Sequence, residues 1–596
     1  MITPPSYVLK SEEQYDKPFD STLTKRLFAY LRPHWKLVLS SLIYMTFATF
    51  AAVSGPIFIR YAIDDGLARN DRTRLLIYVF SFLGVSLLQW FFTYLRVKQM
   101  AFVGQSVIYQ LRKELFEHLQ DLSIGFFNRY SVGRIITRVI NDVEVLREFV
   151  TFGILAILRD IFTIGGIVIA MITMSPTLAL LSFSVLPIMY WATIIFRKHA
   201  RRNYRKVRSA ISWVNSVLAE NINAVRVVQA FSRQEKNYSH FSQQPNLYHR
   251  QTGVQAAFIS AVYFPVVDVL GAIIIAVVVW MGGEQISKGI MTTGVLVAFI
   301  LYINRFFDPI RDLFRRFDSL QSSMAGGERI MNLLDSEIEV KDATNAQEMG
   351  DVKGDVIFKE VSFSYPDDDT TAVLENIQFS VPAGSTVALV GKTGSGKTTI
   401  IKLLSRFHDP TSGKILIDNT DIREVTQRSL RSKMGIVLQD PFLFNGSVEE
   451  NIRFGNTSAS IDEVMKAATI VGAHPFIENL RNGYQTNVAE GGVLLSVGQR
   501  QLLSMARALL ADPRILILDE ATSSIDAKTE KIIQKGLYEL FKGRTSFVIA
   551  HRLSTITNAD QIFVIDRGKI IERGRHEELL EKRGKYFSLY HTGFEE

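Results

Sequence analysis

Cysteine is absent from all 596 residues, which excludes disulfides and thiolate metal sites. The opening "MITPPSYVLKSEEQYDKPFD" lacks an apolar core behind basic residues. No cleavable signal peptide is therefore expected, and the chain is expected to begin in the cytoplasm. An acidic excess is also missing: 59 Asp and Glu face 67 Lys and Arg, for a net charge of +8. Such a balance would suit nucleic acid, but the basic residues crowd the ends of apolar stretches, as the positive-inside rule describes. No nucleic-acid partner is expected. The second half has no apolar run long enough for a bilayer, whereas the first half has several.

A chain of this length exceeds what one hydrophobic core normally supports. Six membrane crossings are expected near 37–62, 75–97, 151–173, 177–196, 257–281 and 293–312. "MSPT" (174–177) and "GGEQISKG" (282–289) read as tight external turns. Between the other crossings, 98–150 and 197–256 are long, helical in pattern and rich in charge, so they are expected to project into the cytoplasm. "FRKHARRNYRKVR" (196–208) holds the end of the fourth span on that side. "TLTKRLFAYLRPHW" (22–35) reads as an interfacial amphipathic helix ahead of the first span. Arg159, Asp160 and Asp268 fall within or beside apolar spans, where ionisable groups face a cavity or one another. Because Arg159 and Asp160 are neighbours, each is expected to need its own partner. Trp90, Phe91, Phe92 and Tyr94 gather near the second span as lipid anchors, packing residues or the lining of an apolar pathway.

Beyond about residue 335 the apolar runs shorten to strand length. "GSTVALVGKTGSGKTTIIKLL" (384–404) reads as strand, glycine-rich turn and helix. Gly391, Gly396, Lys397 and Thr398 fit G-x-x-x-x-G-K-[ST]: backbone N–H groups curl around phosphates, the lysine reaches the terminal ones, and the threonine can hold Mg²⁺. Lys392, Thr393, Gly394, Ser395 and Thr399 complete this candidate nucleotide-binding set. "RILILDEATSSID" (514–526) is a buried strand ending in Asp519 and Glu520. Open α/β sheets bind ligands at that edge. There Asp519 would hold Mg²⁺ through water, and Glu520 could polarise an attacking water. "SFVIAH" (546–551) places His551 at another strand end, where it would contact the γ-phosphate. In "LLSVGQRQLL" (494–503), Ser496, Gly498 and Gln499 stand at the start of a helix suited to an anion, whereas Val497 brings a β-branched side chain to the same place.

The order of these pieces resembles the nucleotide-binding domain of ABC transporters: Walker A at 391–398, "LQD" (438–440), "LSVGQ" (495–499), "LDE" (518–520) and "AHR" (550–552). "VIFKEVSFSY" (356–365) matches the opening strand, which implies that Tyr365 stacks on adenine. Gln439 matches the Q-loop, implying contact with Mg²⁺ and with the membrane domain. "TNVAEGG" (486–492) is similar to the exporter X-loop, with Ala489 in place of a usual glycine. "LSIGFFNRYSVGRIITRVINDV" (122–143) and "AENINAVRVVQAFSRQEK" (219–236) are similar to the two intracellular loops of ABC exporters.

The resemblance covers nearly the whole chain. It implies an α-helical transmembrane domain of six helices with long cytoplasmic extensions, fused to an α/β P-loop nucleotide-binding domain. The expected divisions are 1–35 for the N-terminus and elbow helix, 36–335 for the transmembrane domain and 336–596 for the ATP-binding domain. In this family ATP is sandwiched between Walker A of one domain and the signature helix of another, so a second half-transporter is required. "LSVGQ" departs from the usual "LSGGQ" at Val497, leaving Ser496 and Gly498 for the γ-phosphate. The sequence is similar to an MdlB-like subgroup, and a heterodimer is expected, with this chain supplying Glu520; a homodimer is the alternative. The resemblance implies ATP- and Mg²⁺-dependent export of hydrophobic or amphipathic compounds across the cytoplasmic membrane. The rival on the same fold is a weakly hydrolysing ATP-gated channel or receptor. A soluble ATPase is excluded by the spans, and importers usually carry separate membrane subunits.

Overall fold

A computed structural model describes residues 21–148, 154–365, 372–519, 527–549 and 556–593. The chain separates into two compact units. One comprises the described residues through Gln120 together with Tyr130–Ser336; the other comprises Asp121–Arg129 and the described residues from Glu337 onward.

The first unit is helical. Among the described residues, five helical stretches are long and apolar enough to cross a membrane: Arg32–Leu67, Arg72–Asp121, Leu155–Met174, Pro176–Asn223 and Gln234–Ser287. The sixth expected crossing begins the helix Thr293–Leu334, where Phe299, Tyr302 and Ile303 are buried in this unit's core. The helix Arg72–Asp121 is 50 residues long, against the roughly 20 that a bilayer core needs. Its apolar window is wholly unburied by protein. Leu76, Phe80, Leu87 and Trp90 are exposed there, and the Trp90 and Tyr94 rings stack at 6.0 Å. A broad apolar exposure of this kind suits lipid.

Two expectations are corrected within this unit. The turn expected at 282–289 begins later: the helix Leu247–Ser287 runs through Gly282 and Gly283, and the break lies at 288–292, where Gly289 takes φ 69°. A Cβ on Gly282 would stand 2.7 Å from Leu296 Cδ1, so this glycine permits close helix packing, a common use in membranes. Arg159 and Asp160, expected to go to different partners, bond to each other. Arg159 donates to Asp160 Oδ1 from Nε at 3.0 Å and from Nη2 at 2.7 Å, because its flexible stem lets the guanidinium fold across to the adjacent carboxylate.

The helix Ser21–Ala29 buries Leu23 and Leu27 near Gly327 of the last long helix. Its Arg26 donates to both carboxylate oxygens of Asp335 at 2.5 and 2.8 Å. Phe28 and Trp35 are left exposed. The expected N-terminal stretch 1–20 lies outside the described residues.

The second unit is built on two sheets. Strands β1 (Val356–Phe363), β2 (Leu374–Val381), β4 (Ser412–Ile417) and β5 (Thr420–Asp421) form an antiparallel sheet in the order β2-β1-β4-β5. The other sheet has the order β10-β9-β3-β8-β7-β6. Its members are β3 (Thr386–Val390), β6 (Met434–Val437), β7 (Ile515–Asp519), β8 (Thr545–Ile549), β9 (Gln561–Asp566) and β10 (Lys569–Gly574). Neighbours from β6 to β9 pair in parallel. Parallel strands covered on both faces read as continuous apolar runs, and β7 and β8 are buried almost throughout.

Candidate nucleotide site

Parallel pairing puts the carboxyl ends of β3, β6, β7 and β8 on one sheet edge. Strand β3 ends at Val390, the loop 391–396 follows, and the helix Lys397–Leu404 begins at once. Gly394 and Gly396 take φ of 82° and 109°, a backbone region that glycine enters without steric cost. Around them Lys392, Thr393, Gly394 and Thr398 are exposed, Gly391 is half-buried, and Ser395, Gly396, Lys397 and Thr399 are buried.

Lys397 Nζ donates to the carbonyls of Gly391 (2.6 Å) and Lys392 (3.0 Å). Burial pushes its ammonium below the ordinary lysine range, and Asp519 pulls the other way. Ser395 Oγ is buried without a hydrogen-bond partner among the described residues. A buried cation held by carbonyls of its own loop, an unmatched hydroxyl and a helix N-terminus together fit an anionic phosphate group. Asp519 closes β7 opposite Ile549 of β8. Gln439 is exposed just beyond β6. Glu520 and His551, the expected continuations of β7 and β8, lie outside the described residues.

Tyr365 lies two residues past β1. Its hydroxyl is 3.4 Å from Thr399 Oγ1, and Lys402 Nζ lies 5.8 Å from its ring centroid. Sequence reasoning missed Phe363, Lys402 and His408, which surround this tyrosine. No local motif marks them; only the i, i+5 step from Lys397 to Lys402 places that lysine on the same short helix.

Ser496 caps the helix Val497–Leu510. Its Oγ accepts from Gln499 N at 3.3 Å, and its own N–H donates to Gln499 Oε1 at 2.9 Å. This capping box engages two of the residues expected at the ligand. Gly498 is buried, whereas Val497, Val493 and Leu494 are exposed. Upstream, Ala489 has φ 57° and ψ 175°, where the sequence places an alanine at a usual glycine position.

Arg507 of the same helix reaches back to the segment after Gln439, donating to the Phe442 and Asn451 carbonyls. Asn451 Oδ1 accepts from Phe444 N at 2.8 Å, and its Nδ2 donates to Phe444 O at 2.9 Å. Phe442, Phe444 and Phe454 form an exposed aromatic group beside it.

Two family profiles match the chain: "ABC transporter transmembrane region" over residues 38–310 and "ABC transporter" over residues 374–523. An uncharacterised ABC transporter ATP-binding protein, YknV of Bacillus subtilis, is 43% identical over 98% of this chain and 96% of its own length. A putative multidrug export ATP-binding/permease protein of the same organism, YgaD, is 36% identical over 95% and 98%. The ATP-dependent lipid A-core flippase of Syntrophus aciditrophicus is 35% identical over 96% and 94%. A solved bacterial Atm1-family ABC exporter with ATP bound superposes with a TM-score of 0.76 at 28% identity, covering 96% of this chain and 99% of that one. With a membrane region and an ATP-binding region joined in one chain and matched along almost its whole length, the protein belongs to the ABC exporters, as a half-transporter that couples ATP hydrolysis to transport.

Proposed function

We propose that this chain is one half of a heterodimeric exporter that moves hydrophobic or amphipathic compounds, drugs or lipids, across the cytoplasmic membrane. The observation that carries the reading is the phosphate-shaped loop 391–396 at the edge of a parallel sheet, in a chain that also carries long, lipid-suited helices. Similarity to proteins named for multidrug export and for lipid A-core flipping supports the substrate class. The N-terminus and the ATP-binding unit are assigned to the cytoplasm, and the dimer partner is a second, different half-transporter.

In this reading Lys397 leaves the Gly391 and Lys392 carbonyls and turns to the terminal phosphates. Tyr365 takes the adenine, and the backbone N–H groups of 392–399 take the phosphate oxygens. Thr398, Asp519 and Gln439 would hold Mg²⁺, which supplies charge neutralisation at the phosphates. Glu520 orients and polarises the attacking water, and His551 holds the γ-phosphate end. Ser496 and Gly498 close the partner's site. ATP shifts the conformational equilibrium only if it binds the closed dimer better than the open one, and the sandwich between two domains creates that difference.

Native mass spectrometry of the complex, purified through a tag on this chain from its own host, tests the assembly. One copy of the 67.4 kDa chain with a different chain of similar size is expected; two identical copies would overturn the heterodimer. Glu520→Gln should bind ATP but lose most turnover, and wild-type hydrolysis in that variant would remove Glu520 from its role. In a heterodimer Val497 faces the partner's Walker motifs, so Val497→Gly should change turnover little; a clear increase would favour two working sites.

A further inference from the structure

We infer that His408 is a positioning residue for the adenine platform, acting by fixing the plane of the Tyr365 ring. The inference rests on the reading of Tyr365 as the residue that stacks on adenine. The β1–β2 register ends at Phe363↔Leu374, so among the described residues no strand ladder orients Tyr365. Just before it, Ser364 N donates to Thr411 Oγ1 at 3.2 Å. The attitude of the ring must therefore come from what surrounds it.

Among the described residues, two rings and two polar groups surround it. His408 meets Tyr365 nearly perpendicular, at 88° with centroids 5.4 Å apart. Phe363 meets it at 81° and 4.9 Å, and also contacts His408 at 5.5 Å. Thr399 and Lys402 approach from the helix behind the phosphate loop. Perpendicular ring pairs at these separations are attractive beyond their buried area. His408 follows that helix in the chain, so the contact ties the base platform to the element that begins with Lys397.

His408 is 3% exposed, and its Nε2 is buried without a hydrogen-bond partner among the described residues. Burying a polar nitrogen without a partner is unfavourable. With no hydrogen bond from Nε2 among the described residues, what this side chain offers Tyr365 is its ring. Burial lowers its proton affinity; Glu339 and Asp409 oppose this and Lys402 adds to it. Burial thus favours the neutral form of the ring that faces Tyr365.

The test is a double-mutant cycle on the full complex, reading KM for ATP and kcat separately, with Tyr365→Ala, His408→Leu, His408→Phe and the Tyr365→Ala/His408→Leu pair. Leucine keeps bulk in the cavity but removes the ring; phenylalanine returns it. His408→Leu is expected to raise KM about three- to tenfold, in line with one lost ring pair, with kcat within about twofold. His408→Phe is expected to restore most of the affinity, and the pair is expected to be no worse than Tyr365→Ala alone. If His408→Leu leaves KM unchanged while Tyr365→Ala raises it, the inference fails and the adenine reading stands. If Tyr365→Ala itself leaves KM unchanged, the adenine reading fails and takes the inference with it. Additive effects, or a fall in kcat alone, would mean that His408 acts elsewhere.

Discussion

The Arg507 guanidinium lies across Asn451: Nε donates to its backbone carbonyl at 2.8 Å and Nη2 to its Oδ1 at 3.1 Å. Nη1 donates to the Phe442 carbonyl at 3.1 Å, and the cation sits 5.5 Å from the Phe454 ring. Burial alone pulls Arg507 below the ordinary arginine range, yet no physiological pH discharges a guanidinium. The helix that Ser496 caps and the segment that follows Gln439 are thereby held as one body.

Arg507→Ala should therefore cost about 2–4 kcal/mol, the loss of several charge-assisted hydrogen bonds with acceptors left unmatched. Arg507→Lys should recover only part, since an ammonium cannot reproduce the fork. Thermal unfolding of the purified complex checks this; an unchanged melting temperature in the alanine variant would show that the network contributes nothing.

Ala489 occupies a backbone region that is essentially reserved for glycine, with φ 57° and ψ 175°. Such strain costs on the order of 1–3 kcal/mol. Replacement by glycine removes it but adds roughly 0.5–1 kcal/mol of unfolded-state freedom. Ala489→Gly is expected to raise stability by about 1 kcal/mol, seen as a higher melting temperature. A lower one would mean that the alanine methyl makes contacts worth more than the strain.

Arg329 grips Asp142 with two parallel bonds, Nε to Oδ2 at 2.8 Å and Nη2 to Oδ1 at 2.6 Å. The carboxylate is 9% exposed and the guanidinium 32%, so this pair stands between surface and interior. Asp142→Asn should cost about 1–3 kcal/mol. The double variant with Arg329→Gln should lose less than the sum of the single variants. Strict additivity in unfolding experiments would show that the pair is not coupled.

Strand, glycine loop and helix at 384–404 were legible in the sequence because a buried strand, left-handed turn residues and a phosphate-binding lysine are all local signals. The sheet edge was legible too, since β7 and β8 read as unbroken apolar runs. Tertiary contacts were not. Gly282 and Gly283 look like a turn in a one-dimensional reading, and only the approach of Leu296 reveals close helix packing. Adjacency in sequence predicts no bond between Arg159 and Asp160, yet the length of the arginine side chain lets it reach its neighbour's carboxylate. Likewise nothing around His408 announces Tyr365 as its neighbour, because the two meet across 43 positions of chain.

Asp121–Arg129 groups with the ATP-binding unit. Its Ser123 Oγ accepts from Val340 N at 3.2 Å, and its Arg129 pairs with Glu339. A recombinant fragment cut at the 336/337 border would therefore be missing a piece of its own body. It would leave Glu339 without Arg129 and exchange the Val340 N–H bond to Ser123 for one to water. Biochemistry on such a fragment would describe a wounded domain, unless a peptide spanning 121–129 were returned to it.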